Sequence, residues 1–365
     1  MSDRLDAALQ RIRRDVQGMH AYAIQDATGL IKLDAMENPY RLPAALQQAL
    51  GERLGAVAIN RYPGPRIEDL KRALAAHIGL PAGAALMLGN GSDELISLLA
   101  MACDQPGATI LAPLPGFVMY EMSARLQGLR FVGVPLRADF ELDADAMVEA
   151  IARERPAITY LAYPNNPTAN LWQPAAMRRV IDAVAAVGGL VVVDEAYQPF
   201  ASHTWLDEWR AEPAAHGHVL VMRTLSKFGL AGVRLGYLVG AQPLVHELDK
   251  VRPPYNVSSL NAECALFALE HADVFAEQAA AIRAERERLL AALAALPGVQ
   301  PYPSQANMIL VRVPDATKAF TGLRARGVLI KNVSTMHPML AHCLRLTVGT
   351  PAENDALLAA LPPSL

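Results

Sequence analysis

An alternation of short apolar runs with helical stretches limits what this chain can become. Between Gly89 and Gly240 the runs TILAP, RFVGVPL, AITYLAY, GLVVVDE, HVLVMRT and GYLVG recur, and stretches such as Pro174 to Val187 carry helical spacing between them. Strands separated by helix-length crossovers predict a mostly parallel sheet with helices on both faces. Runs that are apolar throughout, like LVVV, suit strands buried on both sides. The expected fold class is therefore α/β.

A chain of 365 residues has room for one large unit of this kind and a smaller one. After Gly240 the pattern turns helical to about Leu296. Then NMILVRV, GVLIKN and CLRLTVGT read as three short strands, with a helix between the first two. The expected division is a large domain over 41–260 and a small α/β domain from 1–40 and 261–365. The opening segment reads as one amphipathic helix with Leu5, Leu9, Ile12 and Val16 on a single face. It is expected to pack with the small domain.

Composition removes several classes of function. The formal net charge is -3 and no basic run occurs, which argues against nucleic acid or an anionic membrane as partner. Mean hydropathy is +0.18. The longest apolar run worth testing, Ala183 to Val193, is nonetheless far short of the ~20 residues a membrane span needs. The N-terminus has neither a secretory nor a clear transit pattern. Three scattered cysteines without C-x-x-C spacing argue against a disulfide framework or a zinc site, and fit a reducing, cytoplasmic compartment. No H-E-x-x-H pattern occurs, so no metal is expected.

In an open α/β sheet, ligands bind beyond the carboxyl ends of the strands. Three of the runs deliver polar residues there: Asn165 and Asn166 in YPNNPT, Asp194 and Tyr197 in VVVDEAY, and Thr224, Ser226 and Lys227 in RTLSKF. LGNGSDELI adds Ser92 and Asp93 at the start of an apolar-periodic helix, whose N-terminus suits phosphate. Each feature alone is more often a turn or a helix cap. Together they point to one polar site.

Those motifs, in that order, resemble the fold-type I aminotransferases that use pyridoxal phosphate. LDAMENPY, NRYPGP, GNGSDE and CLRLTVGT resemble the histidinol-phosphate aminotransferase subfamily most, over about Leu33 to Thr350. The resemblance implies a large domain with a mostly parallel sheet between helices, plus a smaller α/β domain. It implies that Lys227 holds the cofactor covalently and then serves as general base and acid. Asp194 would keep the cofactor's ring nitrogen protonated. Tyr197 and Asn166 would bond its ring hydroxyl, and Phe117 would stack on its face. Ser92, Asp93, Thr224, Ser226 and Arg234 would hold the phosphate. Tyr62 would reach the phosphate of the other subunit, which implies a homodimer with shared sites. Arg345, with Lys331, Tyr22 and Asn38, would meet the substrate.

The implied reaction takes histidinol phosphate and 2-oxoglutarate to imidazole-acetol phosphate and glutamate, in histidine biosynthesis. The alternatives are an aromatic amino acid aminotransferase and a phosphoamino-acid decarboxylase on the same scaffold. A non-catalytic cofactor-binding regulator has least support, because no helix-turn-helix extension is visible. The chain departs from its relatives at four places. Ala169 stands where a glycine is usual, Phe117 where many have tyrosine, and Lys331 where many have arginine. One residue fewer separates Lys227 from Arg234. Ala169 tests whether that backbone needs a positive φ.

Overall fold

The computed structural model describes residues 3–19 and 25–365. Its strands in chain order are β1 (Ile31–Leu33), β2 (Ala84–Gly89), β3 (Thr109–Leu114), β4 (Arg130–Pro135), β5 (Ile158–Ala162), β6 (Leu190–Asp194), β7 (Val219–Thr224), β8 (Gly236–Ala241), β9 (Gln300–Pro301), β10 (Met308–Arg312), β11 (Val328–Asn332) and β12 (Cys343–Thr347). A seven-stranded sheet runs β2-β8-β7-β6-β5-β3-β4, and a five-stranded sheet runs β1-β11-β12-β10-β9.

In the large sheet β3 to β7 run parallel with β4 at one edge, and β8 is antiparallel to both β7 and β2. All six expected strands of this region form. The residues of β5 to β7 are buried except Leu190 at the start of β6, as both-face packing requires. Strand order reverses between β3 and β5. That reversal opens a crevice at their carboxyl ends, where such sheets take ligands.

The three strands expected near the C-terminus form the antiparallel body of the small sheet, with helix Ala316–Ala325 between the first two. β1 joins its edge parallel to β11. The two sheets share hydrophobic cores. Ala169, Tyr197 and Phe200 pack into the cluster around Met308, Ile330 and Leu346, while Leu310, Val333 and Leu340 pack into the cluster around Tyr163 and Trp172. The seam between the sheets thus runs beside the ends of β5 and β6. Helix Ser259–Glu270 packs on helix Arg66–Ile78.

The N-terminal expectation needs correction. Instead of one helix, Asp3–Leu9 and Arg14–Gln17 form two short ones, and the Gln17 side chain closes the break by donating to the carbonyls of Leu9 (2.8 Å) and Ile12 (2.7 Å). Leu5, Leu9 and Ile12 remain 40–46% exposed. The segment meets the large sheet's side: Arg13 donates to the carbonyls of Arg125 (2.8 Å) and Leu126 at the end of helix Val118–Gln127. An apolar stripe holds a helix together only when a surface covers it, and the described chain supplies none here. Among the described residues no helix is long and apolar enough to cross a membrane.

Candidate active site

Ten of the expected residues line one cavity at the carboxyl ends of β5, β6 and β7. They are Ser92, Asp93, Phe117, Asn166, Asp194, Tyr197, Thr224, Ser226, Lys227 and Arg234. Met36, Tyr120, Ala162, Pro164 and Ala196 complete the wall, and of these Met36 and Tyr120 bring side chains that were not foreseen.

Asp194 ends β6 and is nearly buried. Its Oδ2 accepts from the Tyr120 hydroxyl at 2.7 Å and its Oδ1 from the Ala196 N–H at 3.0 Å. Burial pushes its pKa up to about 6, against the lowering effect of these two bonds. Tyr120 is held in turn, stacked on Tyr160 (ring centroids 4.3 Å) and edge-on to Phe117 (5.6 Å). Phe117 and Tyr120 stand three residues apart at a helix start, so both fall on one face. That spacing was the available signal for Tyr120.

The neighbouring carboxylate takes a different role. Glu195 is buried in a salt bridge with Arg223 (2.8 Å), and its oxygens also accept from the Thr204 hydroxyl at 2.9 Å. Asp194 lines the cavity, and Glu195 pins β7 to helix Trp205–Ala211.

Lys227 lies in a π-helical turn, Ser226–Leu230. Burial first, and then the nearby Arg345 cation, push its pKa down to about 8, so much of the amine is neutral near pH 8. Its Nζ donates to the Ala35 carbonyl at 3.0 Å and lies 6.0 Å from the centre of the Tyr197 ring.

Behind Lys227 a polar chain forms. Thr224 Oγ1 donates to Ser226 Oγ at 2.9 Å, and Ser226 Oγ accepts from Arg234 Nη1 at 3.1 Å. Arg234 also reaches Asp93 at 3.5 Å. Between Lys227 and the phosphate-side arginine the backbone turns through Gly229 at φ 141 and Arg234 itself at φ 56.

Ser92 and Asp93 do not cap their helix. Its N-cap is Gly91, at φ 84, and no side chain caps it. The first N–H groups of Ser92–Ala102 are therefore left for an anion. A Cβ on Gly91 would stand 2.7 Å from Arg234 Nη2, and one on Gly236 would stand 2.7 Å from Ser92 N. These two glycines keep a backbone cradle open beside a guanidinium. The free N–H groups and the guanidinium suit a phosphate in charge, and the Asp194 carboxylate on the same cavity wall as Phe117 suits a cationic ring.

Arg345 on β12 is nearly buried. Its Nη1 donates to Asn166 Oδ1 (2.8 Å) and its Nη2 to the Asp34 carbonyl (2.9 Å). Committing the Asn166 oxygen turns that amide's N–H groups elsewhere. Lys331 lies directly opposite Arg345 across β11 and β12. Asn38 is engaged with Gln278 (2.8 Å) and is outside the cavity wall. Tyr62 is 75% exposed and stacks on Tyr255 at 4.3 Å. Tyr22 lies outside the described residues. Ala169 is fully buried at φ 65, so the backbone there does take the left-handed form without a glycine.

The family description "Aminotransferase class I and II" matches residues 28–361. The chain belongs to that family. This aminotransferase is 73% identical over 350 residues to the histidinol-phosphate aminotransferase of Methylibium petroleiphilum, covering 96% of this chain and 93% of that one. It is 68% identical over 370 residues to the enzyme of the same name from Paracidovorax citrulli, covering all of both chains. The crystal structure of histidinol-phosphate aminotransferase from Sinorhizobium meliloti in complex with pyridoxal-5'-phosphate superposes with a TM-score of 0.82 at 26% identity, over 97% of each chain. The fold is thus that of the fold-type I transferases.

Proposed function

We propose that this aminotransferase moves the amino group of histidinol phosphate to 2-oxoglutarate, giving imidazole-acetol phosphate and glutamate. The observation that carries the reading is the 73% and 68% identity, over nearly the whole chain, to two enzymes of that name. Pyridoxal phosphate is the cofactor. When bound, it draws electrons from the substrate's Cα and carries the amino group between donor and acceptor.

The chain's own groups suit the remaining work. Lys227, with its lowered pKa, holds the cofactor and then moves a proton at the substrate's Cα. Asp194 would meet the ring nitrogen, with Tyr120 and Ala196 keeping its two oxygens in place. Tyr197 and Asn166 would meet the ring hydroxyl, and Phe117 would cover the ring. Ser92, Asp93, Thr224, Ser226 and Arg234 hold the phosphate at the helix start. Arg345 and Lys331 supply positive charge for the anionic ends of the two substrates.

The reading includes a cytoplasmic homodimer in which Tyr62 completes the partner's phosphate site. The exposed Ile59, Tyr62 and Tyr255 offer apolar surface for such a contact.

A panel of donors tests the substrate. Histidinol phosphate should be turned over with kcat/KM far above that of phenylalanine. An equal or greater value for phenylalanine would replace this reading with an aromatic aminotransferase. Carbon dioxide release without a keto acid would replace it with a decarboxylase.

A further inference from the structure

Three consecutive residues after β1 use their backbone to hold the site. The Asp34 carbonyl accepts from Arg345 Nη2 at 2.9 Å, and the Ala35 carbonyl accepts from Lys227 Nζ at 3.0 Å. The Met36 N–H donates to Thr347 Oγ1 at 3.0 Å, and the Met36 carbonyl accepts from Asn307 Nδ2 at 2.9 Å. Met36 sits at φ 52 although it is not a glycine. Such a conformation is strained and persists only where its surroundings enforce it.

The geometry gives the strain a purpose. The C=O of Ala35 and the N–H of Met36 belong to one planar peptide and point in opposite directions. Thr347 grips this peptide at its N–H, and Lys227 meets it at the carbonyl. The φ of Met36 sets how that plane is turned. At an ordinary negative φ the plane would swing, and the carbonyl would leave the lysine. Asn307, fully buried, fixes the next carbonyl, so Met36 is held on both sides. Thr347 and Arg345 are two apart on β12 and so share a face against this segment.

We propose that Asp34–Met36 is a positioning segment for Lys227, in which the Ala35 carbonyl orients the ε-amine and Thr347 and Asn307 hold that carbonyl through Met36. The inference rests on the reading of Lys227 as the reactive lysine. A carbonyl suits the task because it never titrates. With one N–H committed to it, the amine's lone pair is confined to the two remaining tetrahedral positions. The other groups around the amine act on its charge: Arg345 and Arg234 oppose protonation, while Glu37 and Asp93 favour it. The Tyr197 ring lies on one side at 6.0 Å.

Thr347→Val removes the hydroxyl with little change of shape in a strand, and Thr347→Ser restores it. In the cofactor-free protein, the rate of reductive methylation of Lys227, followed by mass spectrometry against pH, reports its titration. The Ala35 contact favours the ammonium, so Thr347→Val should move the midpoint about one pH unit lower. Thr347→Ser should keep the wild-type midpoint. In the loaded enzyme Thr347→Val should lower kcat about tenfold with the donor's KM little changed, because orientation and not binding is lost. Asn307→Ala should act in the same direction.

A wild-type midpoint and kcat in Thr347→Val would overturn the proposal, as would a shift in Thr347→Ser equal to that in Thr347→Val. A fall in melting temperature without a shift of the midpoint would also overturn it, since that is a purely structural role. Turnover persisting in Lys227→Ala would instead remove the reading of the lysine, while the methylation midpoint still decides the contact.

Discussion

The two sides of the cavity hold charge differently. On the large-sheet side, Asp194 is answered by Tyr120 and Ala196, and Arg234 by Ser226 and Asp93. On the small-sheet side, Arg345 is held by the Asn166 side-chain oxygen and the Asp34 carbonyl, and a second cation, Lys331, stands opposite it in register across β11 and β12. Such pairs destabilise a sheet. One side is arranged before anything binds, as a cofactor that stays in place requires. The other brings two cations to one face of the small sheet, where anionic substrate groups would be met. The cofactor side therefore answers to geometry, and the substrate side to charge.

The largest expected effect breaks the first side outright. Lys227→Ala should lower kcat/KM by about 10⁴-fold or more, and should abolish the cofactor absorbance that survives dialysis. Asp194→Asn comes next, with a loss of about 10²- to 10³-fold in kcat.

That second variant has an opposite effect on stability. The folded chain holds the Asp194 proton up to about pH 6, well above the ordinary 3.8, so stability is lost as pH rises through that window. Cofactor-free Asp194→Asn should therefore melt higher than wild type at pH 8, and an equal or lower melting temperature would contradict the burial argument.

Lys331→Ala probes the other side. It should raise KM for the phosphorylated donor about 10- to 100-fold with little change in cofactor affinity. It should also stabilise the cofactor-free chain by about 0.5 kcal/mol, by removing the like charge opposite Arg345.

Tyr120→Phe should cost about tenfold in cofactor affinity. Losing a donor to the carboxylate raises the Asp194 pKa further, so the pH below which affinity falls should move upward. The smallest effect lies away from the charges. Ala169→Gly removes a left-handed strain of about 1–2 kcal/mol and adds about 0.5–1 kcal/mol of chain entropy cost, so a gain of about 0–1.5 kcal/mol in denaturant unfolding is expected.

The six central strands were legible because they are apolar throughout and bounded by turn residues. β2, AALMLG, escaped because alanine, leucine and methionine favour helix as much as strand. β1 has three residues, too few for any periodicity. The N-terminal stripe was legible as a pattern, but nothing in a sequence says whether a surface exists to cover it.

Within the site, motif residues at strand ends could be read directly. Tyr120 belongs to no motif quoted above, and its place became evident only when Asp194 turned toward it. The Ala35 contact is made by backbone, which every residue carries, so side-chain identity gives no sign of it. The different fates of Asp194, the last residue of β6, and Glu195, the first beyond it, depend on where Arg223 packs in the fold.

Half-reaction spectra test the central claim most directly. The cofactor-loaded protein is mixed separately with histidinol phosphate, glutamate and phenylalanine, without any keto acid, and the cofactor absorbance is followed. Conversion by histidinol phosphate and by glutamate, at concentrations far below those needed for phenylalanine, is the predicted result. No conversion by histidinol phosphate, or conversion by phenylalanine at equal or lower concentration, would contradict it.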